Sequence, residues 1–250
     1  MIITYILVIV IILLIIFLIK NKNKEFFNSN YNLKFVHIPK TAGTSIENAA
    51  LKHNIKWGFR DWTKKDENEN LIKDPNNCFN LNKPWINIST NYTSNKNNMC
   101  YPWHIPPSML NRKVYKENDK LFCVVRNPYD RIVSEYKKHQ SKNISKDELN
   151  KFIKNNINNT NIYNNDFKCH LIPQYKYTHG NIKCDHILKF ENLDNEFKEL
   201  MDKYNLSHIK LDKHENKSSN KLNKYDLTKE SKEIIYNIYK KDFELLKYYK

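Results

Sequence analysis

Glycine is scarce in this sequence. Gly43, Gly58 and Gly180 are the only three glycines among 250 residues. The Gly-x-Gly-x-x-Gly loop of dinucleotide-binding proteins and the Gly-x4-Gly-Lys-Ser/Thr loop of nucleotide triphosphatases both need glycines a few positions apart. These three are too widely spaced for either pattern, so both classes of nucleotide-binding protein are excluded.

Cysteine patterns that bind metal are also missing. None of the five cysteines belongs to a Cys-x2-Cys pair, and we expect no metal site. Cys123 lies in an apolar run and is expected to be a buried free thiol. Cys169 and Cys184 flank a short loop, and Cys78 and Cys100 flank an Asn-rich segment, so each pair is placed to form a disulfide. Paired cysteines indicate an oxidising compartment, and five reduced cysteines are the alternative.

Acidic residues are too few to balance the basic ones. The chain has 27 Asp and Glu against 42 Lys and Arg, a net charge of +15. This excess favours anionic partners, either a polyanionic small molecule or an acidic glycan. Nucleic acid is disfavoured because the lysines are scattered and no recognition motif is present. The polar tracts 64–70, 91–98 and 154–165 are predicted to be surface loops.

A long uncharged run opens the chain at residues 1–19. At roughly 1.5 Å per residue, a helix of this length spans about 29 Å, close to the bilayer core of roughly 30 Å. We predict a membrane anchor at 1–19, a polar stem at 20–32 and one domain at 33–250. A cleaved signal peptide is disfavoured, since no basic segment precedes the run and no small-residue cleavage site follows it.

Residues 36–45 predict a strand, a tight loop and a helix. Strand-type residues lead to Pro39, which ends the strand, and Gly43 permits a sharp turn. Residues 44–47 form a capping box, which predicts a helix start near Ser45. Backbone N–H groups at such a helix start bind phosphate or sulfate, although an ordinary strand–helix turn is the alternative. The candidate binding residues are Lys40, Thr41, Ala42, Gly43, Thr44 and Ser45.

A second unit of the same kind follows. Residues 121–125 are a continuous apolar run, typical of a buried parallel strand. The run ends at Arg126, after which Asn127 is a good N-cap and Pro128 a good first helical residue. Arg126 and Ser134 are placed to bind one phosphate. Two anion sites at the C-terminal ends of parallel strands predict a ligand with two separate anionic groups.

These stretches resemble motifs of a known family. Residues 37–45 resemble the 5′-phosphosulfate loop of the membrane-bound carbohydrate sulfotransferases, and residues 126–136 resemble their 3′-phosphate site. The sequence is similar to this sulfotransferase family 2-like group from about residue 33 to 249. Its later blocks are matched at 169–174, 185–193, 214–219 and 239–245.

The resemblance implies a fold and a reaction. The fold is a three-layer, P-loop-like α/β domain with a central parallel sheet. The reaction is transfer of a sulfuryl group from 3′-phosphoadenosine 5′-phosphosulfate (PAPS), a co-substrate, to a hydroxyl of a carbohydrate, without a metal. The implied partners are a glycan or glycoprotein acceptor and the membrane. We expect strands near 33–38, 121–125 and 186–190, and helices near 45–53, 128–140, 193–204 and 229–246.

The resemblance also implies roles for single residues. Lys40 stabilises charge on the leaving phosphate. The base must be neutral near pH 7, and His104, in the aromatic- and proline-rich interval between the two phosphate motifs, is the favoured candidate. His37, beside the first loop, is the rival. Lys217 and Ser218 are implied phosphate-binding residues, in a loop whose alternative is an exposed linker.

The orientation in the membrane has two interpretations. Lys20, Lys22 and Lys24 follow the apolar run, and the positive-inside rule then puts the domain in the cytosol. The resemblance implies a type II protein that faces the Golgi or secretory lumen, which we favour because long domains translocate against this charge bias. Glycosylation sequons occur at Asn87, Asn91, Asn143, Asn158, Asn205 and Asn216, and they are consistent with a lumenal glycoprotein. The Asn-, Lys-, Ile- and Tyr-rich composition is typical of an A·T-rich genome, such as that of a protist or large DNA virus.

Two other functions compete with sulfuryl transfer. A nucleotide-dependent kinase on a related fold needs a metal-binding carboxylate beside the first loop, and none is evident there. A non-catalytic, membrane-anchored glycan-binding protein would tolerate loss of Lys40, Arg126 or the base, yet all are present. His170 and the remaining histidines are expected at the surface or in packing roles.

Overall fold

A computed structural model describes residues 32–58, 102–109, 115–139, 144–158, 169–212 and 222–249. The predicted anchor at 1–19, nearly all of the stem, the pair Cys78 and Cys100, and Lys217 with Ser218 lie outside these ranges. Within the described ranges, no helix combines the length and the apolar character needed to cross a membrane.

The structure is an α/β fold with a three-stranded parallel sheet. All the strands and helices that the sequence predicts are present, with no end shifted by more than two residues. The elements are β1 (Asn32–Val36), α1 (Gly43–Leu51), β2 (Asp119–Val125), α2 (Pro128–His139), α3 (Lys146–Phe152), α4 (Tyr175–Thr178), β3 (His186–Lys189), α5 (Leu193–Lys203) and α6 (Lys229–Leu245).

The sheet has the order β1-β2-β3, with β2 in the centre. Parallel pairing of β2 with β3 places Phe122 opposite His186 and Val125 opposite Lys189. Because strand side chains alternate between the two faces, Leu121, Cys123 and Val125 enter one core and Phe122 and Val124 another. Burial on both faces explains the continuous apolar run at 121–125.

Each face of the sheet is covered. On one face, α1 and α5 pack over Phe122, and Trp57 meets Phe122 and Phe197 edge-on at ring-centroid distances of 5.2 Å and 6.1 Å. On the other face, the segment from Cys169 to Tyr177 packs against β2. A third apolar cluster joins α2, α3 and α6. The C-terminal ends of β1 and β2 are thereby left facing the loops that the sequence identifies as anion sites.

The disulfide prediction is wrong in its pairing. Cys184 is bonded to Cys123, with their Cα atoms 6.1 Å apart, so Cys123 is buried but is not a free thiol. The two side chains enter the same core, because Cys123 faces the side of the sheet against which the segment before β3 packs. Cys169, predicted to bond Cys184, is itself disulfide-bonded. A sequence cannot show which face of a strand a cysteine occupies relative to a distant loop.

Candidate active site

The first loop turns sharply through two left-handed residues. Lys40 has a φ of 70° and Ala42 a φ of 68°, and α1 begins at Gly43, two residues before the predicted start. No side chain of the described residues caps the helix at Ala42. The first intrahelical bond runs from Ile46 N–H to the Ala42 carbonyl at 3.2 Å. A helix cannot satisfy the N–H groups of its own first turn, and N–H groups at such a position bind anions.

The predicted capping box is wrong because Glu47 is used elsewhere. The Glu47 carboxylate is fully buried, and its Oε1 lies 3.2 Å from Nδ1 of His37. The predicted role of Gly43 also changes, since no glycine in the described residues has a positive φ. A Cβ at position 43 would lie 2.5 Å from Cε1 of His37. Gly43 is therefore needed for the close approach of the imidazole to α1.

The hydroxyls of this loop are in different environments. Thr41 is fully buried and donates its hydroxyl hydrogen to the Ile38 carbonyl at 2.7 Å, which fixes the end of β1. Thr44 and Ser45 are partly exposed on the first turn of α1. Thr41 therefore stabilises the loop through its side chain and can offer a ligand only its backbone N–H, whereas Thr44 and Ser45 keep their hydroxyls near the surface.

The second loop meets the first through Arg126. Asn127 caps α2 as predicted, since its Oδ1 accepts from Tyr129 N–H at 3.0 Å and Pro128 is the first helical residue. The Arg126 guanidinium lies 4.1 Å from the centroid of the Phe190 ring, and its Nη1 donates to the Lys40 carbonyl at 3.4 Å. Its Nε is buried and has no hydrogen-bond partner among the described residues. A buried donor of this kind is costly unless a ligand accepts from it.

The backbone of Arg126 is fixed by Gln174. The Gln174 side chain accepts from Arg126 N–H and donates to the Arg126 carbonyl, both at 2.8 Å. The buried Asp242 carboxylate of α6 in turn accepts from the N–H groups of Gln174 and Tyr175, each at 2.8 Å. This chain of bonds orients the residue that ends β2.

Arg131 joins the first loop to the 169–174 segment. Its Nε donates to the Pro39 carbonyl at 3.1 Å, and its Nη2 donates to the carbonyls of His170 at 2.6 Å and Ile172 at 2.9 Å. The side chain is 2% exposed, so this guanidinium is a structural bridge whose hydrogen bonds are directed into the protein. Ser134, which follows Arg131 on α2, is partly exposed.

Positive charge is concentrated around Lys40. The pKa of Lys40 is lowered to about 8, chiefly by burial and also by the nearby cations Lys138, Arg126 and Arg131, while the negative charge of Glu135 opposes this shift. Burial also lowers the pKa of Arg126. Cations brought together at a half-buried position destabilise one another in the free protein, and a bound anion relieves that repulsion.

Three histidines lie side by side next to this cluster. The ring centroids of His37 and His104 are 5.4 Å apart, and those of His104 and His170 are 4.5 Å apart. A buried carboxylate lies at each end of the row, Glu47 beside His37 and Glu135 beside His170, whose Nδ1 is 2.9 Å from both Glu135 oxygens. Both sequence candidates for a base are therefore in one place, with His104 in the middle.

Sequence reasoning missed His170, Glu135 and Gln174 as parts of this site. His170 and Gln174 lie in the 169–174 block, and Glu135 lies in the 126–136 block. These residues therefore belong to the recognised motifs, but a motif does not reveal which other residues they contact. The spacing of Arg131 and Glu135, four residues apart on α2, was the available signal that both face inward. In the described part of the chain, no three His, Cys, Asp or Glu side chains are grouped to hold a metal ion.

Comparison with known proteins gives one result. Residues 24–249 match the sequence model of the sulfotransferase family, and this match includes all the described residues. Searches of curated proteins and of solved structures gave no significant match.

Proposed function

The chain belongs to the sulfotransferase family, and on that premise we propose that it transfers a sulfuryl group from PAPS to a hydroxyl of a carbohydrate. The observation that carries this proposal is the meeting of two loops at the ends of adjacent parallel strands. The uncapped start of α1 and the Arg126 guanidinium come together around Lys40. A donor with anionic groups at both ends of an adenosine matches two such loops.

The residues present fit this donor. The first turn of α1, with Lys40, Thr44 and Ser45, would hold the 5′-phosphosulfate. Arg126, whose buried Nε–H has no acceptor among the described residues, and Ser134 would donate to the 3′-phosphate, as the resemblance of residues 126–136 to the family's 3′-phosphate site implies. Residues 217 and 218 are proposed to complete the phosphate site.

The roles of the protein groups follow from their positions. When bound, the donor supplies the sulfuryl group and a phosphate that departs with negative charge. The Lys40 ammonium, half-buried in the first loop, stabilises that charge. His104 accepts the proton of the acceptor hydroxyl, and its place in the centre of the histidine row favours it over His37 as the base.

The proposal extends to the cell compartment. We place the domain in the Golgi or secretory lumen, on a type II anchor at 1–19, with a glycan or glycoprotein as acceptor. The disulfide of Cys123 with Cys184 and the bonded state of Cys169 support this placement, because such bonds persist in oxidising compartments.

Ligand-induced stabilisation tests the donor site. Full-length protein in detergent should gain about 2.7 kcal/mol of stability from adenosine 3′,5′-bisphosphate at 100 times its Kd. Arg126→Ala and Ser134→Ala should each weaken this binding, and Lys198→Ala, an exposed change on α5, should leave it unchanged. Equal stabilisation by ATP with Mg²⁺ would favour a kinase instead.

A further inference from the structure

The Glu135 carboxylate contacts one of the three adjacent histidines of the proposed site. It is 1% exposed and lies 2.9 Å from Nδ1 of His170, whose own side chain is 3% exposed. The His170 ring in turn meets the His104 ring at 77° with centroids 4.5 Å apart. The orientation of the proposed base is therefore set by a neighbour that Glu135 holds.

The same carboxylate faces the first loop. Arg131 donates to the Pro39 carbonyl, so this face of α2 lies against the turn that carries Lys40. Glu135 follows Arg131 by four residues and so lies on the same face of the helix. Among the charges of described residues that act on Lys40, those of Lys138, Arg126 and Arg131 oppose its protonation and that of Glu135 favours it.

We propose that Glu135 is a positioning residue of the site, which holds His170 against His104 and places a negative charge beside the loop that carries Lys40. This proposal rests on the function proposed above. It explains why a full carboxylate is buried in a region rich in cations. The charge balance of the site depends on the groups that face Lys40, which are Glu135, Arg131 and Lys138 of α2, Arg126 after β2, and His170 of the 169–174 segment.

The proposal makes the pH at which Lys40 loses its proton depend on Glu135. Since the pKa of Lys40 is about 8 with Glu135 in place, removal of that negative charge lowers it further. The alkaline limb of kcat/KM for PAPS, which reports the free enzyme, should then move about one pH unit lower in Glu135→Gln. The exposed change Glu148→Gln is the matched control and should leave the limb in place.

The positioning role of His170 can be tested separately from the effect of the Glu135 charge. His170→Asn keeps an N–H group for Glu135 but removes the ring beside His104. We expect kcat to fall about tenfold or more, a part of the roughly 10²–10⁴-fold that a general base contributes, with the KM for PAPS and the alkaline limb both unchanged. A His170→Asn enzyme with the wild-type kcat overturns the positioning role.

The effect of Glu135 on Lys40 can also be measured without turnover, so that this test does not depend on sulfuryl transfer. Acetylation of Lys40 by acetic anhydride, measured by mass spectrometry across pH, should show a midpoint near 8 in the wild type and a lower midpoint in Glu135→Gln. Equal midpoints overturn the proposal, whether or not the protein transfers sulfate. If Glu135→Gln does not fold, Glu135→Asp replaces it in the test. Because aspartate keeps the negative charge, we expect the midpoint of Lys40 acetylation to stay near that of the wild type. A midpoint well below that of the wild type would contradict the proposal.

Discussion

At the scale of single residues, the site combines groups that destabilise the free protein. Lys40 loses solvent and faces Arg126, Arg131 and Lys138, while the buried Arg126 Nε lacks a partner among the described residues. Such groups are retained in proteins when a ligand needs them. The local chemistry therefore indicates a polyanion more clearly than any single motif does.

Removal of the Lys40 charge should stabilise the protein and disable it. Because folding lowers the Lys40 pKa from 10.5 to about 8, the unfolded state binds more protons between these values, and the free energy of unfolding rises with pH through that window. Lys40→Met should raise Tm by about 2–4 °C at pH 7, for a gain of roughly 1 kcal/mol after allowance for solvent screening. Thermal scans measure this, and the pH-dependent rise should vanish in the variant. A lower Tm would show that Lys40 is stabilised in the free protein.

The two candidate bases can be separated by kinetics. His104→Ala should lower kcat by roughly 10²–10⁴-fold with little change in donor affinity, because its imidazole is proposed to act on the acceptor hydroxyl. His37→Ala should mainly affect donor affinity and stability, because that ring packs between Gly43 and Glu47. Turnover measured beside binding of adenosine 3′,5′-bisphosphate decides between them. Loss of turnover in His37→Ala with an intact fold, and near-full activity in His104→Ala, would reverse the assignment.

At the scale of elements, the start of α1 depends on an exact fit between a ring and a backbone. Gly43→Ala would place a methyl group 2.5–2.7 Å from three atoms of the buried His37 ring. We expect a loss of about 1–3 kcal/mol from this overpacking. Urea unfolding measures the loss, and the double change with His37→Ala should recover part of it, since the clashing ring is gone. If the losses of the two single changes simply add in the double variant, the cost of Gly43→Ala does not come from the contact with His37.

The elements were largely predictable, and the contacts between them were not. Apolar runs and the Asn127–Pro128 signal gave the strands and α2, because local propensity and burial agree there. The capping-box pattern at 44–47 failed because Glu47 has a tertiary partner, His37, that a local pattern does not contain. His170 was assigned to packing for the same reason, since only the folded chain brings its ring to His104.

At the scale of the whole molecule, the disulfide ties β2 to the segment that precedes β3. Cys123 and Cys184 are separated by 61 residues in sequence. Cys123→Ala should cost about 2–4 kcal/mol, and the double change Cys123→Ala with Cys184→Ala should cost no more than either single change. Thermal unfolding measures these costs.

The same bond tests the proposed compartment. Protein from its native membrane should give a Cys123–Cys184 cross-linked peptide in non-reducing mass spectrometry, and deglycosylation should increase its mobility on gels. A fully reduced, unglycosylated protein would instead support the cytosolic orientation that the lysines after residue 19 favour.

The central claim is that this chain moves a sulfuryl group onto a sugar. The most direct measurement is transfer of radiolabelled sulfate from PAPS to a panel of glycans by the full-length protein in detergent, with Lys40→Ala in parallel. We predict labelled glycan with the wild type and a loss of roughly 10²–10⁴-fold in Lys40→Ala, because its ammonium is proposed to act on the leaving phosphate. Binding of the nucleotide without transfer to any glycan, or equal transfer by both proteins, would contradict the account.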